Sequence, residues 1–205
     1  MQNWTDKFVK WFEEEIADSD KPLDEHWEVE IGEENGRKLI RASSPYRPYS
    51  VLVEVGKRFA TLKIKTGVET AILDSHERLK IYRSLLLLNN KWRMVKYALV
   101  GEDEEIVIIT DLDLVSLSRD EFSDALTVTL FAMNDLVKKL NLEDIYEEAQ
   151  LIHVADLILQ KAKSGKSKEE IVSFIAKTYK LSKDIAEEIV SEILKEEKED
   201  SGMYV

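Results

Sequence analysis

The side chains that could do acid–base or metal chemistry are few and scattered. The three histidines, His26, His76 and His153, lie far apart and have no ligand spacing. His76 and Glu77 begin like a zinc-protease motif, but Lys80 stands where the second histidine would have to be. The chain has no cysteine, which excludes disulfides, thiolate metal sites and cysteine nucleophiles. We therefore predict no metal site and no cofactor.

Two further stretches begin like phosphate or calcium sites but lack the residues that those sites need. The letters SGKS at 164–167 would need a glycine at position 160 to form a phosphate loop, and that residue is Gln160. Asp111 and Asp113 begin like a calcium loop, but the glycine required at its sixth position is Ser116. We predict that the protein has no catalytic residues and is not an enzyme.

Composition is typical of a globular protein of the cytoplasm. The chain is 44% hydrophobic and contains four tryptophans, which is enough to build a core. No stretch approaches the roughly 18 apolar residues of a membrane-spanning helix, and the charges in the first turns exclude a signal peptide. We expect a cytoplasmic protein with no membrane partner. Its 34% charged residues, mostly Glu and Lys, resemble a thermophile's composition.

The charge balance argues against a nucleic-acid partner. The 29 basic and 41 acidic residues give a net charge of −12, which repels phosphate backbones at long range. Residues 175–190 nevertheless resemble a helix-turn-helix, with Ala176 at the small position, Leu181 in the turn and Lys180 where glycine is usual. From Asp184 to the end there are eight acidic residues and two lysines, which opposes phosphate contact. A DNA-binding transcriptional regulator is the alternative function.

Hydrophobic periodicity predicts an α+β domain over residues 1–141, an antiparallel sheet with flanking helices in the order α-β-β-β-β-α-β-β-α. Apolar residues spaced three and four apart predict a first helix that reaches about Ala17. Ser118 with Glu121 three residues later forms a capping box that opens a long third helix. Three hairpin turns are predicted at Asn35-Gly36, Gly56-Lys57 and residues 101–104.

Strand signals stop after residue 141, which predicts a separate all-helical module over 142–200. Helices are expected at about 143–163, 167–178 and 182–198. Capping residues support the last two, because Ser167 with Glu170 repeats the capping box and Ser182 can cap the final helix. The charged, polar end of the chain, 199–205, is predicted to be a disordered tail.

The leucine run at 85–88 predicts a helix that needs more than one neighbour. A helix turns about 100° per residue, so four consecutive leucines cover about 300° of its circumference. A sheet covers only part of that arc, so either a second subunit or the C-terminal helices must cover the rest. We predict an interface formed by the leucines and by aromatic residues of the first helix: Leu85, Leu86, Leu87, Leu88, Trp4, Phe8 and Trp11.

The segments LLLLNN at 85–90 and YALVGEDEEIVIITDLDLVSLSRDEFSDAL at 97–126 resemble the type III secretion chaperone-like fold, including the YbjN-like proteins. In that fold a leucine-rich helix ends in asparagine and a hairpin follows. A run of the pattern L-x-L…LS-x-(D/E)-E-F then leads into the last helix. The matching residues here are Leu112, Leu114, Leu117, Ser118, Asp120, Glu121 and Phe122. The resemblance covers residues 1–140 and implies a homodimer that binds other polypeptides without catalysis. The predicted function is therefore a chaperone-like protein-interaction role with a protein or peptide partner.

Overall fold

The computed structural model describes residues 3–17, 19–34 and 36–202. The predicted α+β fold class and its element order are confirmed. A short 3₁₀ helix, Pro22–Asp24, lies between the first helix and the first strand. The helices and strands are α1 Trp4–Glu13, β1 Glu28–Glu34, β2 Arg37–Ser43, β3 Ser50–Val55, β4 Phe59–Glu69, α2 Ser75–Lys91, β5 Val95–Val100, β6 Glu105–Asp113, α3 Arg119–Leu140, α4 Glu143–Lys163, α5 Lys168–Tyr179 and α6 Lys183–Gly202.

The six strands form one antiparallel sheet in the order β1-β2-β3-β4-β6-β5. Strand β4 is the longest and pairs with β3 and β6, so it lies inside the sheet, and its Ala60, Leu62 and Ile64 alternate into the core. At the first hairpin Gly36 has φ +73°, as a tight turn requires, while Asn35 lies outside the described residues. The second turn is one residue longer than predicted, because β4 begins only at Phe59.

One face of the sheet is covered by α1 and α3. One side of α3 is buried, with residues three and four apart: Phe122, Leu126, Thr129, Met133 and Leu136. Helix α1 ends at Glu13, so the predicted extension to Ala17 is wrong. The reason is visible in the backbone: Glu14 leaves the helical region, and the amide of Ile16 donates to the carbonyl of Asp24 instead of continuing the helix.

The chain divides into two compact units. The first unit comprises Met1–Ser44 and Tyr49–Asp144, and the second comprises Pro45–Pro48 and Ile145–Val205. The second unit has its own core from α4, α5 and α6: Ile158, Ile171, Val172, Ile175, Ala186 and Val190. Helix α6 continues to Gly202, so residues 199–202 of the predicted disordered tail are helical, and 203–205 lie outside the described residues.

The segment Pro45–Pro48 is held within the second unit by an aromatic contact and a hydrogen bond. The hydroxyl of Tyr179 donates to the carbonyl of Pro45 at 2.5 Å, and its ring lies 6.4 Å from that of Tyr46. Burial raises the pKa of Tyr179 to about 12. The phenol therefore stays protonated and able to donate this bond at neutral pH.

Candidate functional site

The site is built on α2, whose start is fixed by its N-cap. The carboxylate of Asp74 accepts hydrogen bonds from the amides of His76 (2.8 Å) and Glu77 (2.9 Å). These two donors are among the four that a helix leaves unpaired at its beginning. Asp74 thus sets the phase of the helix, and with it the direction in which each leucine of the run points.

The structure divides the leucine run into two halves. Leu85 and Leu88 are 5% and 7% exposed and lie in the core, whereas Leu86 and Leu87 are 70% and 55% exposed. The predicted interface is therefore corrected at Leu85 and Leu88, whose side chains are covered by the first unit itself. The division follows from helix geometry, because residues three apart share a side while the two between them turn away.

The exposed leucines belong to a larger apolar and cationic strip. Leu79, one heptad before Leu86, is 66% exposed on the same side of the helix. Between and beside these residues Lys80 and Arg83 are also exposed. We call Leu79, Lys80, Arg83, Leu86 and Leu87 the α2 face.

A groove of about 320 Å³ adjoins the α2 face on the side of Lys80. Its apolar members Leu73, Ile81 and Leu140 are half-buried, and Lys80 is the residue that the groove shares with the α2 face. The complete lining is Leu73, Glu77, Lys80, Ile81, Ser84, Lys139, Leu140 and Asn141. A convex helix face next to a groove is suited to an elongated apolar segment.

A polar cluster around Glu104 pins the first half of α2 to the turn between β5 and β6. Arg78 donates to both oxygens of the Glu104 carboxylate, at 2.5 and 2.6 Å. Tyr82 donates to the same carboxylate, and Thr70 does so at 3.1 Å. The hydrogen bond from Tyr82, followed by Arg78 and Thr70, lowers the pKa of Glu104. The carboxylate is ionised at neutral pH and accepts hydrogen bonds from all three side chains, so it holds α2 against this turn.

Asn89, the first residue after the leucine run, anchors the second half of α2. The side-chain amide of Asn89 donates to the carbonyl of Tyr97 at 3.1 Å, and its oxygen accepts from the Tyr97 amide at 2.7 Å. Asp135 of α3 pairs with Lys91 and accepts from the Trp92 indole at 3.0 Å. These contacts use the edge of β5 and the flank of α3, and leave the α2 face outward.

The aromatic residues of α1 that were predicted to join the interface are packed inside the first unit. Phe8 is fully buried and Trp11 is 6% exposed, and their rings lie 4.9 and 5.4 Å from the ring of Phe122. The structure thus corrects the prediction for Phe8 and Trp11. Trp4 is half-buried, 5.8 Å from Phe8, with the ammonium of Lys7 4.2 Å above its ring. It too is engaged with its own helix.

The scattered acid–base residues stay apart in the structure. Asp111 accepts from Thr61 at 3.0 Å and from Lys96 at 2.7 Å, and the Lys96 bond is the main cause that lowers its pKa. His26 pairs with Glu15 at 2.5 Å. Within the described ranges no three His, Asp or Glu residues are grouped so that they could hold a metal ion.

In the second unit, the residues that resemble a helix-turn-helix form two helices, α5 and α6, joined by a short turn. Lys180, at the position where glycine is usual, ends α5 in the left-handed region with φ +54°. Ser182 then caps α6 by accepting from the amide of Ile185. Ala176 and Leu181 pack against the core of α4, α5 and α6. The turn therefore keeps its backbone shape although it lacks the glycine.

Comparison with known families adds a classification to this geometry. A family model described as a domain of unknown function, DUF8183, matches residues 7–140. The chain belongs to this family. A second model, named HTH_78 and also described as a domain of unknown function, matches residues 141–205. The α2 face lies wholly within the DUF8183 domain, and the turn at Lys180 lies in the HTH_78 match.

Comparison with solved structures finds a similar protein of known structure. The chain is similar to YbjN from E. coli, described as a candidate transcription regulator, with 11% sequence identity and a TM-score of 0.42. The similarity covers 57% of this chain and 84% of YbjN. No curated protein matches the chain. In the described part of the chain, the helices are too short or too polar to cross a membrane.

Sequence reasoning missed three members of the α2 face: Leu79, Lys80 and Arg83. The signal was available, because Leu79 lies seven residues before Leu86 and the cations lie between them. The predicted interface contained the whole leucine run, and helical spacing alone does not say which side of α2 the sheet covers.

Proposed function

We propose that the chain is a non-enzymatic protein-binding protein whose α2 face receives an apolar, acidic polypeptide segment. The carrying observation is that Leu79, Leu86 and Leu87 are more than half exposed on one side of a well-anchored helix. Full burial of a leucine side chain is worth about 1.5–3 kcal/mol relative to exposure. Binding with a Kd of 1 μM corresponds to a free energy of about 8 kcal/mol. Burial of all three leucines by a partner would supply a substantial part of it.

Charge supports an acidic partner. Residues 75–93, which include all of α2, contain five basic residues and one acidic residue, in a chain whose net charge is −12. Cations that surround an apolar strip attract a carboxylate-bearing segment and disfavour a basic one. At the α2 face, the protein would act in a chaperone-like way by binding an apolar segment of its partner.

The homodimer predicted from sequence would use the same leucines under a different electrostatic constraint. Two α2 faces in contact would bring Lys80 and Arg83 of one copy towards the same cations of the other, and like charges across an interface are repulsive. Salt screens such repulsion, so a homodimer through this face should strengthen as salt is raised. Binding of an acidic partner should weaken under the same change.

A designed peptide tests the proposal. The probe is a fluorescein-labelled amphipathic helix of about 18 residues, long enough to form a helix when bound, with leucine on one face and glutamate on the other. Titration with the full chain in low salt should raise its anisotropy with a micromolar Kd. The change Leu86→Asp should weaken binding at least about tenfold, and Leu151→Asp, at an equally exposed leucine (72%), should leave it unchanged.

Three outcomes would overturn the proposal. One is no binding of the peptide at millimolar protein, and another is equal binding of a peptide whose glutamates are lysines. The third is binding of the chain to anionic lipid vesicles that Leu86→Asp abolishes while peptide binding is absent. Light scattering at low and high salt tests the homodimer separately. The variant is Leu86→Asp, because Leu86 is exposed, whereas an aspartate at the buried Leu85 would disturb folding. A monomer at both salt concentrations would refute the dimer.

A further inference from the structure

The net charge of the chain conceals a basic segment in the second unit. Residues 161–183 contain seven lysines and two glutamates, a local charge of +5 within a chain of −12. The remaining residues therefore carry −17. This segment can therefore attract an anion at close range, although the chain as a whole is negatively charged.

The structure distributes these lysines along α5. Lys163, Lys166 and Lys168 lie where α4 ends and α5 begins, while Lys180 and Lys183 lie at the turn into α6. Lys177 is exposed in the last turn of α5 and adjoins the second group. Helix α5 has 12 residues and is about 18 Å long. We call these six exposed lysines the α5 strip.

A groove of about 560 Å³ runs along the middle of the α5 strip. Phe174 forms part of its wall, and the ammonium of Lys161 lies 3.9 Å above the ring of Phe174. The two glutamates at the groove, Glu169 and Glu170, are the only acidic residues of the segment. Glu170 accepts from the Ser167 amide at 2.8 Å and pairs with Lys166 at 3.4 Å, so its charge is partly used by the helix cap.

Acidic residues occupy the outer side of the next helix. Asp184, Glu188 and Glu192 are exposed and four apart on α6, so they share one side of it. This is the helix that would read base edges in a helix-turn-helix, and carboxylates there oppose entry into a DNA groove. Phosphate contact and base reading are therefore separated in this unit, with the first available and the second disfavoured.

We propose that the α5 strip binds the phosphate backbone of duplex DNA without reading its sequence. A strip about 18 Å long faces roughly five base-pair steps at 3.4 Å each, a span that matches lysines grouped at the two ends of one helix. Contacts to phosphate position a protein on DNA and carry no sequence information, which fits a strip made of lysines alone.

The test is the salt dependence of binding to a mixed-sequence duplex, measured by fluorescence anisotropy with the full chain. We expect a Kd of roughly 10⁻⁵ M in about 50 mM salt and a slope near −4.5 of log K against log salt, as for about five phosphate contacts. The variant Lys177→Glu/Lys180→Glu/Lys183→Glu should lower affinity at least about tenfold and reduce the slope by about two to three.

The matched control reverses three lysines outside both the α5 strip and the α2 face. Lys38→Glu/Lys57→Glu/Lys65→Glu changes the net charge by the same amount, and its three positions are exposed in the first unit. It should leave the affinity within about threefold, because its charges lie outside the α5 strip. Equal loss in both triple variants would overturn the proposal, as would absence of binding in low salt. Preference for one duplex sequence by more than about tenfold would overturn the claim that no sequence is read.

Discussion

The two halves of the leucine run should respond oppositely to truncation. Leu88→Ala removes a side chain that is 7% exposed and leaves a cavity beside β5 and α3, whereas Leu86→Ala removes one that is 70% exposed. Truncation of a buried leucine costs about 2–5 kcal/mol, and surface substitutions stay within about 0.5 kcal/mol. Leu88 lies at the rim of the core, so we expect about 2–3 kcal/mol for Leu88→Ala and less than about 0.5 kcal/mol for Leu86→Ala.

Tryptophan fluorescence during urea unfolding measures this difference in the relevant unit. All four tryptophans, Trp4, Trp11, Trp27 and Trp92, belong to the first unit, so the signal follows its unfolding without a contribution from the second. The midpoint should shift for Leu88→Ala and not for Leu86→Ala, with the slope unchanged. Leu85→Ala and Leu87→Ala form a second matched pair with the same expectation.

Equal destabilisation by Leu86→Ala and Leu88→Ala, at protein concentrations where light scattering shows a monomer, would refute the reasoning. It would mean that Leu86 is covered within the folded chain. A cost of Leu86→Ala that grows with protein concentration would instead identify self-association as the cover, because binding to the native state adds stability by mass action.

Three further predictions concern the backbone and the polar cluster. Gly56→Ala should destabilise the first unit by about 1–3 kcal/mol, because its Cβ would lie 2.7 Å from the carbonyl oxygen of Phe59, while Gly32→Ala, with open space, should be neutral within about 0.5 kcal/mol by the same fluorescence assay. Lys180→Gly should stabilise the second unit by up to about 1 kcal/mol, since Lys180 has φ +54°, and helical circular dichroism on heating should show a higher Tm. Because the fold lowers the pKa of Glu104 from its ordinary value of 4.5, the ionised carboxylate stabilises the fold at pH values above 4.5. This contribution should be lost as the pH falls below 4.5. Glu104→Gln should therefore weaken the acid dependence of stability, measured by urea unfolding across that pH range.

Local signals in the sequence were sufficient for most of the fold. The capping boxes at Ser118 and Ser167 form as predicted, each with its glutamate returning to the cap amide. They placed the starts of α3 and α5 within a residue, because capping depends only on atoms a few positions apart. The turn at 101–104 is likewise a local event.

Features that depend on distant neighbours could not be derived in this way. Whether Leu85 or Leu86 is buried depends on where β5 and α3 lie against α2, and these contacts join parts of the chain well separated in sequence. Phe8 and Trp11 were assigned to a surface because an aromatic stripe has the same pattern whether a sheet or a partner covers it. The partner they meet, Phe122, is more than a hundred residues away.

The basic segment of the second unit was missed for a different reason. The charge count along the helix-turn-helix began at Asp184, one residue after the last lysine of the segment, Lys183. A sliding count over the whole module would have shown the separation of charge directly. The total of −12 is still informative about long-range repulsion, but a binding surface responds to the charges within about a Debye length, near 10 Å.

Hydrogen–deuterium exchange of the full chain, with and without the acidic amphipathic peptide, tests the central claim most directly because it locates the bound segment. We predict slower exchange in fragments that cover residues 79–88 and no change over 161–183. The same experiment with Leu86→Asp should show no protection at 79–88. Protection that falls on 161–183 in place of 79–88, or persists at 79–88 in Leu86→Asp, would contradict the assignment of the α2 face as the protein-binding site.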